Sequence, residues 1–112
     1  MDTTTMPSRL SSKPKHSFLP PAEPEMDAAL AAEIQALSIQ LGAEVRRLRG
    51  ERGMTQAALA SAAGLDPNYI GMVERAERRI TLYNAWRIAG GLGISLADLT
   101  GALPVRGAAG RA

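Results

Sequence analysis

The sequence predicts an all-α fold, and three observations carry that expectation. Aromatic residues make up only 4% of the 112 residues while hydrophobic residues reach 46%, so the core has to be assembled from Ala, Leu, Ile and Val side chains. Apolar residues at Met26, Leu30, Ile34, Leu37, Leu41, Val45 and Leu48 follow one another at intervals of 4, 4, 3, 4, 4 and 3, the spacing of a helical stripe. Beyond them, small polar residues that cap helices alternate with glycines that stop them, and no strand-like alternation interrupts the series.

Taken in order, residues 1–25 hold five of the seven prolines and many Ser and Thr. Each internal proline removes a donor and clashes with the preceding turn, so this segment is expected to be a disordered tail. Its charge is uneven: Arg9, Lys13 and Lys15 face Asp2 alone, whereas Glu23, Glu25, Asp27 and Glu33 follow without a base. Residues 26–40 read as an additional amphipathic helix. Gly42 leaves two readings open, one continuous helix or a break near Ser38 to Gly42, because an interior glycine costs about 1 kcal/mol relative to alanine. The helix should stop near Gly53, after the basic run Arg46, Arg47, Arg49 and Arg52.

Residues 41–101 form the expected domain. Thr55 can cap a helix over Gln56 to Ala63 that Gly64 ends. Asp66 caps the next, with Pro67 at its first position, where a missing N–H costs nothing. That helix turns Ile70 and Val73 inward and ends among Ala76 to Arg79. Thr81 opens a fourth helix with Leu82, Ala85, Ile88, Ala89 and Leu92 inward, closed by Gly93. Ser95 caps a short fifth helix, Leu96 to Thr100, that Gly101 stops. Residues 102–112, rich in Gly and Ala, read as a flexible C-terminal tail.

Several function classes are excluded at this level. The chain has no Cys and a single His, His16 in the N-terminal tail, which removes thiolate metal sites, disulfides, Cys nucleophiles and His-based triads together. No enzyme activity, cofactor or metal is therefore expected. No apolar run approaches the roughly 18 residues needed to span a bilayer, and the N-terminus lacks the apolar stretch of a secretory signal. The expected setting is cytoplasmic, with no membrane partner.

Two short helices joined by Gly64, Leu65 and Asp66 meet the steric demands of a helix-turn-helix. Ala60 is small where the helices cross, Gly64 permits the sharp turn, and Leu59, Ile70 and Val73 fill the shared core. The same spacing also fits a plain helical hairpin. The net charge of residues 37–101, eight arginines against six carboxylates, is too small to establish DNA affinity without the fold.

The residues themselves go further. The stretch from Leu41 to Leu99, with its TQ opening at Thr55-Gln56, the Ala63-Gly64 pair, the Tyr69-Ile70 and Val73-Glu74-Arg75 run, and the closing SLADL, resembles the Cro/C1-type, XRE-like and lambda-repressor-like helix-turn-helix domain. Within it DPNYIGMVERAERRITL is similar to controller proteins of restriction-modification systems. The resemblance implies a five-helix domain, here with an extra N-terminal helix or helix extension, whose third helix enters the major groove.

It also implies the site. The positions matching Pro67, Asn68, Tyr69, Gly71 and Met72 face bases in the family, and the one matching Arg75 reaches phosphate or a base. Helical periodicity likewise sets Asn68, Gly71, Met72 and Arg75 opposite Ile70 and Val73, with Tyr69 flanking. Pro67 departs from the family pattern, having no side-chain donor, so readout is expected to fall on Asn68, whose amide can bond adenine bidentately, and on Arg75. Asn68 also fits a solvent-facing first-turn residue, and Tyr69 and Met72 fit core-edge packing as well as groove contact. Thr55 and Gln56 resemble the family's phosphate contacts, and ordinary capping is compatible with that. Arg49 and Glu74 resemble a structural ion bridge between helices 1 and 3, while Arg78 joins Arg75 and Arg79 in a basic cluster.

The function expected is a sequence-specific transcriptional regulator binding double-stranded DNA as a homodimer on a pseudo-palindromic operator. The competing class is an antitoxin-like interaction protein, whose N-terminal segment binds a partner protein while the helix-turn-helix autoregulates. Trp86, beside Gly90 and Gly91, fits either a dimer contact or closure of the domain core.

Overall fold

A computed structural model describes residues 27–107. The chain divides into two units, residues 1–31 and 32–112; the tail expected over 1–25 and the stripe's first residue, Met26, lie outside the described residues. Among the described residues there are five α-helices and no strand: α1 (Ala28–Glu51), α2 (Gln56–Ala63), α3 (Pro67–Glu74), α4 (Leu82–Leu92) and α5 (Leu96–Thr100). None is long and apolar enough to cross a membrane.

The first helix settles the question Gly42 left open. Asp27 caps it, accepting the Leu30 N–H at 2.9 Å, and it runs unbroken through Gly42 to Glu51. Gly42 is there for close approach: a Cβ on it would collide with the Val73 carbonyl oxygen and stand 2.9 Å from that of Glu74. Hence the entropic cost of an interior glycine brings the backbone of α1 against the end of α3. Leu41, Val45 and Leu48 are buried along the expected stripe, whereas Ile34 is half-buried and Leu30 and Leu37 stay exposed.

The shorter helices follow their expected caps. Thr55 Oγ1 accepts from Ala58 N, Asp66 Oδ1 from Asn68 N, Thr81 Oγ1 from Asn84 N and Ser95 Oγ from Asp98 N, at 2.7–3.0 Å. Each bond satisfies an orphan donor of a first turn. Gly64 takes a left-handed φ of 73° and turns the chain between α2 and α3. Leu59, Ala60, Ile70, Val73, Ile88, Ala89, Leu92 and Leu99 complete one core with the α1 stripe. Gly91 permits the α2–α4 approach, since a Cβ there would stand 3.0 Å from Leu59 Cδ1 and 3.1 Å from Ala63 N. Its bare backbone is thus spent inside the domain.

Three expectations need correction. α3 ends at Glu74, earlier than Ala76 to Arg79, because the Ala76 and Glu77 amides turn back onto the Val73 and Met72 carbonyls at 3.0 and 2.8 Å. That closure requires a left-handed residue, and Ala76 supplies it at φ 61° where a glycine would be unstrained. Leu82 points outward at 74% exposure; as the first residue of α4 it precedes the turn that touches the core. The segment after α5 is more attached than a loose tail: Leu103 packs against the core and the Arg106 guanidinium spans both Glu33 oxygens at 3.2 Å. Residues 108–112 lie outside the described residues.

Opposite outcomes are expected for two small substitutions. Gly42→Ala should destabilise by about 1–3 kcal/mol through overpacking against backbone that cannot step aside. Ala76→Gly should stabilise by roughly 0.5–1 kcal/mol by relieving the left-handed alanine. Urea denaturation followed by circular dichroism checks both, as a fall and a rise of the midpoint.

Candidate nucleic-acid interface

The polar centre of the domain lies where α1, α2 and α3 meet. Arg49 of α1 clamps Glu74, the last residue of α3, in a two-pronged pair: Nε to Oε2 at 2.7 Å and Nη2 to Oε1 at 2.9 Å. Its Nη1 donates to the Met54 carbonyl at 2.9 Å in the α1–α2 turn. Gln56, the first residue of α2, donates from Nε2 to Glu74 Oε1 at 3.0 Å. The Glu74 side chain is 4% exposed and that of Arg49 17%. Burial pushes the Glu74 carboxyl up, but the hydrogen bonds from Arg49 and Gln56, with the charges of Arg49 and Arg46, outweigh it and hold the group below the usual carboxylate value. The ion bridge that resemblance implied between these two residues is therefore present, and it extends to Gln56.

Around this anchor the expected site residues fall into three groups. Thr55, Pro67, Asn68, Arg75 and Arg78 are exposed. Gln56, Tyr69 and Met72 are half-buried: the Tyr69 hydroxyl accepts from Asn84 Nδ2 at 3.2 Å, and Arg78 lies 5.9 Å from its ring centroid. Gly71, expected on the outer face, is buried. A Cβ there would stand 3.0 Å from Arg75 Nη1 and 3.4 Å from Gln56 Oε1, so these two side chains lie over it. Helical periodicity alone does not find this, because the cover comes from α2 and from the chain after α3.

The arginines divide by what holds them. In the run at the end of α1, Arg47 is taken up by Glu44 and Glu51 at 2.6 Å, Arg49 by Glu74, and Arg52 by the Leu92 and Leu48 carbonyls at 2.7 and 3.2 Å. Three of these four bases thus serve the fold. Sequence reasoning missed Arg87 altogether. Its Nε and Nη2 donate to the Ala63 and Gly64 carbonyls at 2.9 and 3.0 Å, closing the C-terminus of α2, and its guanidinium lies 5.1 Å from the Tyr83 ring centroid. Trp86 does not close the core: it is 60% exposed and stacks on Tyr83 with centroids 6.1 Å apart.

Two capped helices joined by the left-handed turn at Gly64, the second with Ile70 and Val73 buried and Pro67 and Asn68 exposed, form a helix-turn-helix. The family model described as Helix-turn-helix (HTH_3) matches residues 45–99. Among solved structures, the restriction-modification controller protein C.AhdI from Aeromonas hydrophila is 38% identical with a TM-score of 0.56, covering 57% of this chain and 97% of that one. Control protein C.MunI from a Mycoplasma species is 33% identical over 64 residues, 56% of this chain and 86% of its own length. The regulator PrpR of Mycobacterium tuberculosis is 51% identical over 41 residues, which are 37% of this chain and 8% of that protein. This chain belongs to the XRE-like helix-turn-helix family of transcriptional regulators.

The anchor makes stability pH-dependent with a definite sign. Because the Glu74 carboxyl titrates below its ordinary value of 4.5 in the folded chain, the pair contributes fully above about pH 4.5 and its contribution is lost as the pH falls through the depressed value. Glu74→Gln should cost about 3 kcal/mol at pH 7, since it leaves a largely buried guanidinium without its counter-charge. The variant should also lose part of the wild-type decline as the pH falls below 4.5. Urea midpoints measured from pH 7 downwards check both, and parallel curves for the two proteins would remove Glu74 from the acid response.

Proposed function

We propose that this chain is a sequence-specific DNA-binding transcriptional regulator, acting as a homodimer on a pseudo-palindromic operator. The observation that carries the reading is the mounting of α3. Its inner side, Ile70 and Val73, is buried, and its last residue is clamped to α1. Its first turn meanwhile presents Pro67 and Asn68 to solvent. A helix held on its inner side, with its first turn exposed, can enter a major groove without unfolding anything. Asn68 then reads adenine through its amide, and Arg75 reaches guanine or phosphate. Thr55 and Gln56, at the N-terminus of α2, and Arg78 beside Tyr69 supply phosphate contacts that set register without reading sequence.

Dimerisation follows from reach. One short helix covers only a few base pairs, so a second half-site about 34 Å away is needed for specificity. Likeness to two control proteins of small size, each covered over most of its length, supports a regulator that works by occupying promoter DNA. The antitoxin-like alternative draws on a different observation: Leu37 and Ile39 of α1 are exposed and lie outside the family match, leaving apolar surface for a partner protein.

Fluorescence anisotropy on a duplex selected by the protein from a random pool, and on its scrambled counterpart, tests the reading. Asn68→Ala should cost about 1–3 kcal/mol on the selected duplex with little change on the scrambled one, whereas Gln56→Ala should weaken both. Equal wild-type-like binding by Asn68→Ala would dismiss α3 as the reader. Sedimentation at micromolar concentration should give a dimer; a monomer both free and on DNA would refute the assembly.

A further inference from the structure

Glu77 stands at the edge of the proposed reading surface and holds Arg75. The Arg75 Nε donates to Glu77 Oε2 at 3.0 Å and Nη2 to Oε1 at 3.2 Å, and both side chains are about half exposed, 58% and 52%. Two features show that this geometry is built into the turn. Ala76, the residue between them, is the strained left-handed one, and the Glu77 amide is tied back to the Met72 carbonyl at 2.8 Å. Together they fold residue 77 back towards residue 75.

A guanidinium has two bidentate edges, a side-on edge of Nε with one Nη and an end-on edge of both Nη atoms. Glu77 occupies the side-on edge. Nη1, which does not bond Glu77, lies over α3, 3.0 Å from where a Cβ on Gly71 would sit. The carboxylate also sets a negative charge within a Debye length of any phosphate that approaches Arg75, which opposes a phosphate clamp on every sequence alike. An end-on approach to a guanine edge leaves the Glu77 pair intact, whereas a phosphate seeking the side-on edge must displace it.

We infer that Glu77 is a specificity-determining positioning residue, which occupies one bidentate edge of Arg75, sets a carboxylate charge where a phosphate would approach, and so directs that arginine to read a base. This rests on the DNA-binding reading above and resolves the choice between base and phosphate that Arg75 left open. An exposed pair adds little to stability, so its removal is read in DNA binding and not in folding.

The test compares wild type, Glu77→Gln, Arg75→Ala and the double variant on selected and scrambled duplexes from about 50 to 200 mM salt, a range over which phosphate contacts dominate the change in affinity. Glu77→Gln is expected to bind the scrambled duplex several-fold more tightly, with its log-log salt slope steeper by about 0.9 per subunit. Discrimination between the duplexes should fall several-fold while the urea midpoint stays unchanged. In the Arg75→Ala background, Glu77→Gln should no longer steepen the slope. Wild-type slope and discrimination in Glu77→Gln overturn the role of Glu77 alone, as does a steepening that persists without Arg75. A wild-type chain that binds neither duplex at the lowest salt overturns the DNA reading, and this inference with it.

Discussion

The buried ion pair between Arg49 and Glu74 is the constraint on which the rest of the domain depends. A carboxylate with 4% of its side chain exposed survives burial only if its oxygens are hydrogen-bonded and its charge is met. Arg49 provides the charge, Gln56 a further donor, and the three residues come from α1, α2 and α3. One carboxylate therefore fixes the positions of three helices relative to one another. Apolar packing of Leu59, Ile70 and Val73 supplies cohesion but is tolerant of small slides between elements. The two-pronged pair is directional, and α3 cannot rotate about its own axis without breaking it.

Gly42 and Ala76 show how closely that arrangement is drawn. The absence of a side chain at Gly42 lets α1 approach the Val73 and Glu74 carbonyls, the same end of α3 that Arg49 clamps. Immediately beyond, the chain turns through a left-handed alanine, and the backbone closure there returns Glu77 towards α3. The C-terminal end of α3 is thus held by backbone contact, by an ion pair and by a strained turn within four residues. Its N-terminal end is capped by Asp66 and held through the half-buried Tyr69, whose hydroxyl accepts from Asn84, while Pro67 and Asn68 stay exposed. The unequal treatment of the two ends leaves Pro67 and Asn68 free for contact while the orientation of the helix is set mainly from the other end.

Much of the architecture was legible because it is local. Thr55, Asp66, Thr81 and Ser95 cap helices through their own side chains, so their effect can be read within three residues, and Gly53, Gly64 and Gly93 mark stops by the same locality. The Arg49–Glu74 bridge was reachable through family resemblance, since 25 positions separate its partners and no periodicity relates them. Arg87 was not legible: its acceptors, the Ala63 and Gly64 carbonyls, are backbone atoms of another helix, and backbone acceptors leave no trace in residue identity. Nor was the turn at Ala76, because the usual signal for a left-handed residue is glycine. On the outer side of α3, periodicity sorted Asn68 from Ile70 and Val73 but could not see that Gly71 lies beneath Gln56 and Arg75.

The sequence by itself determined the helical class, the capping residues, most of the stops and most of the inward residues and, through resemblance, the family. These follow from interactions between residues a few positions apart and from motifs that keep their spacing. Only the tertiary structure decided that α1 is continuous through Gly42, that Gly71 is covered, that Leu82 and Trp86 stay outside the core, and which arginines are bound within the domain and which lie at the edge of α3. Each depends on which surface of one helix another approaches, and that is settled by the summed packing of all five helices together with one buried charge pair.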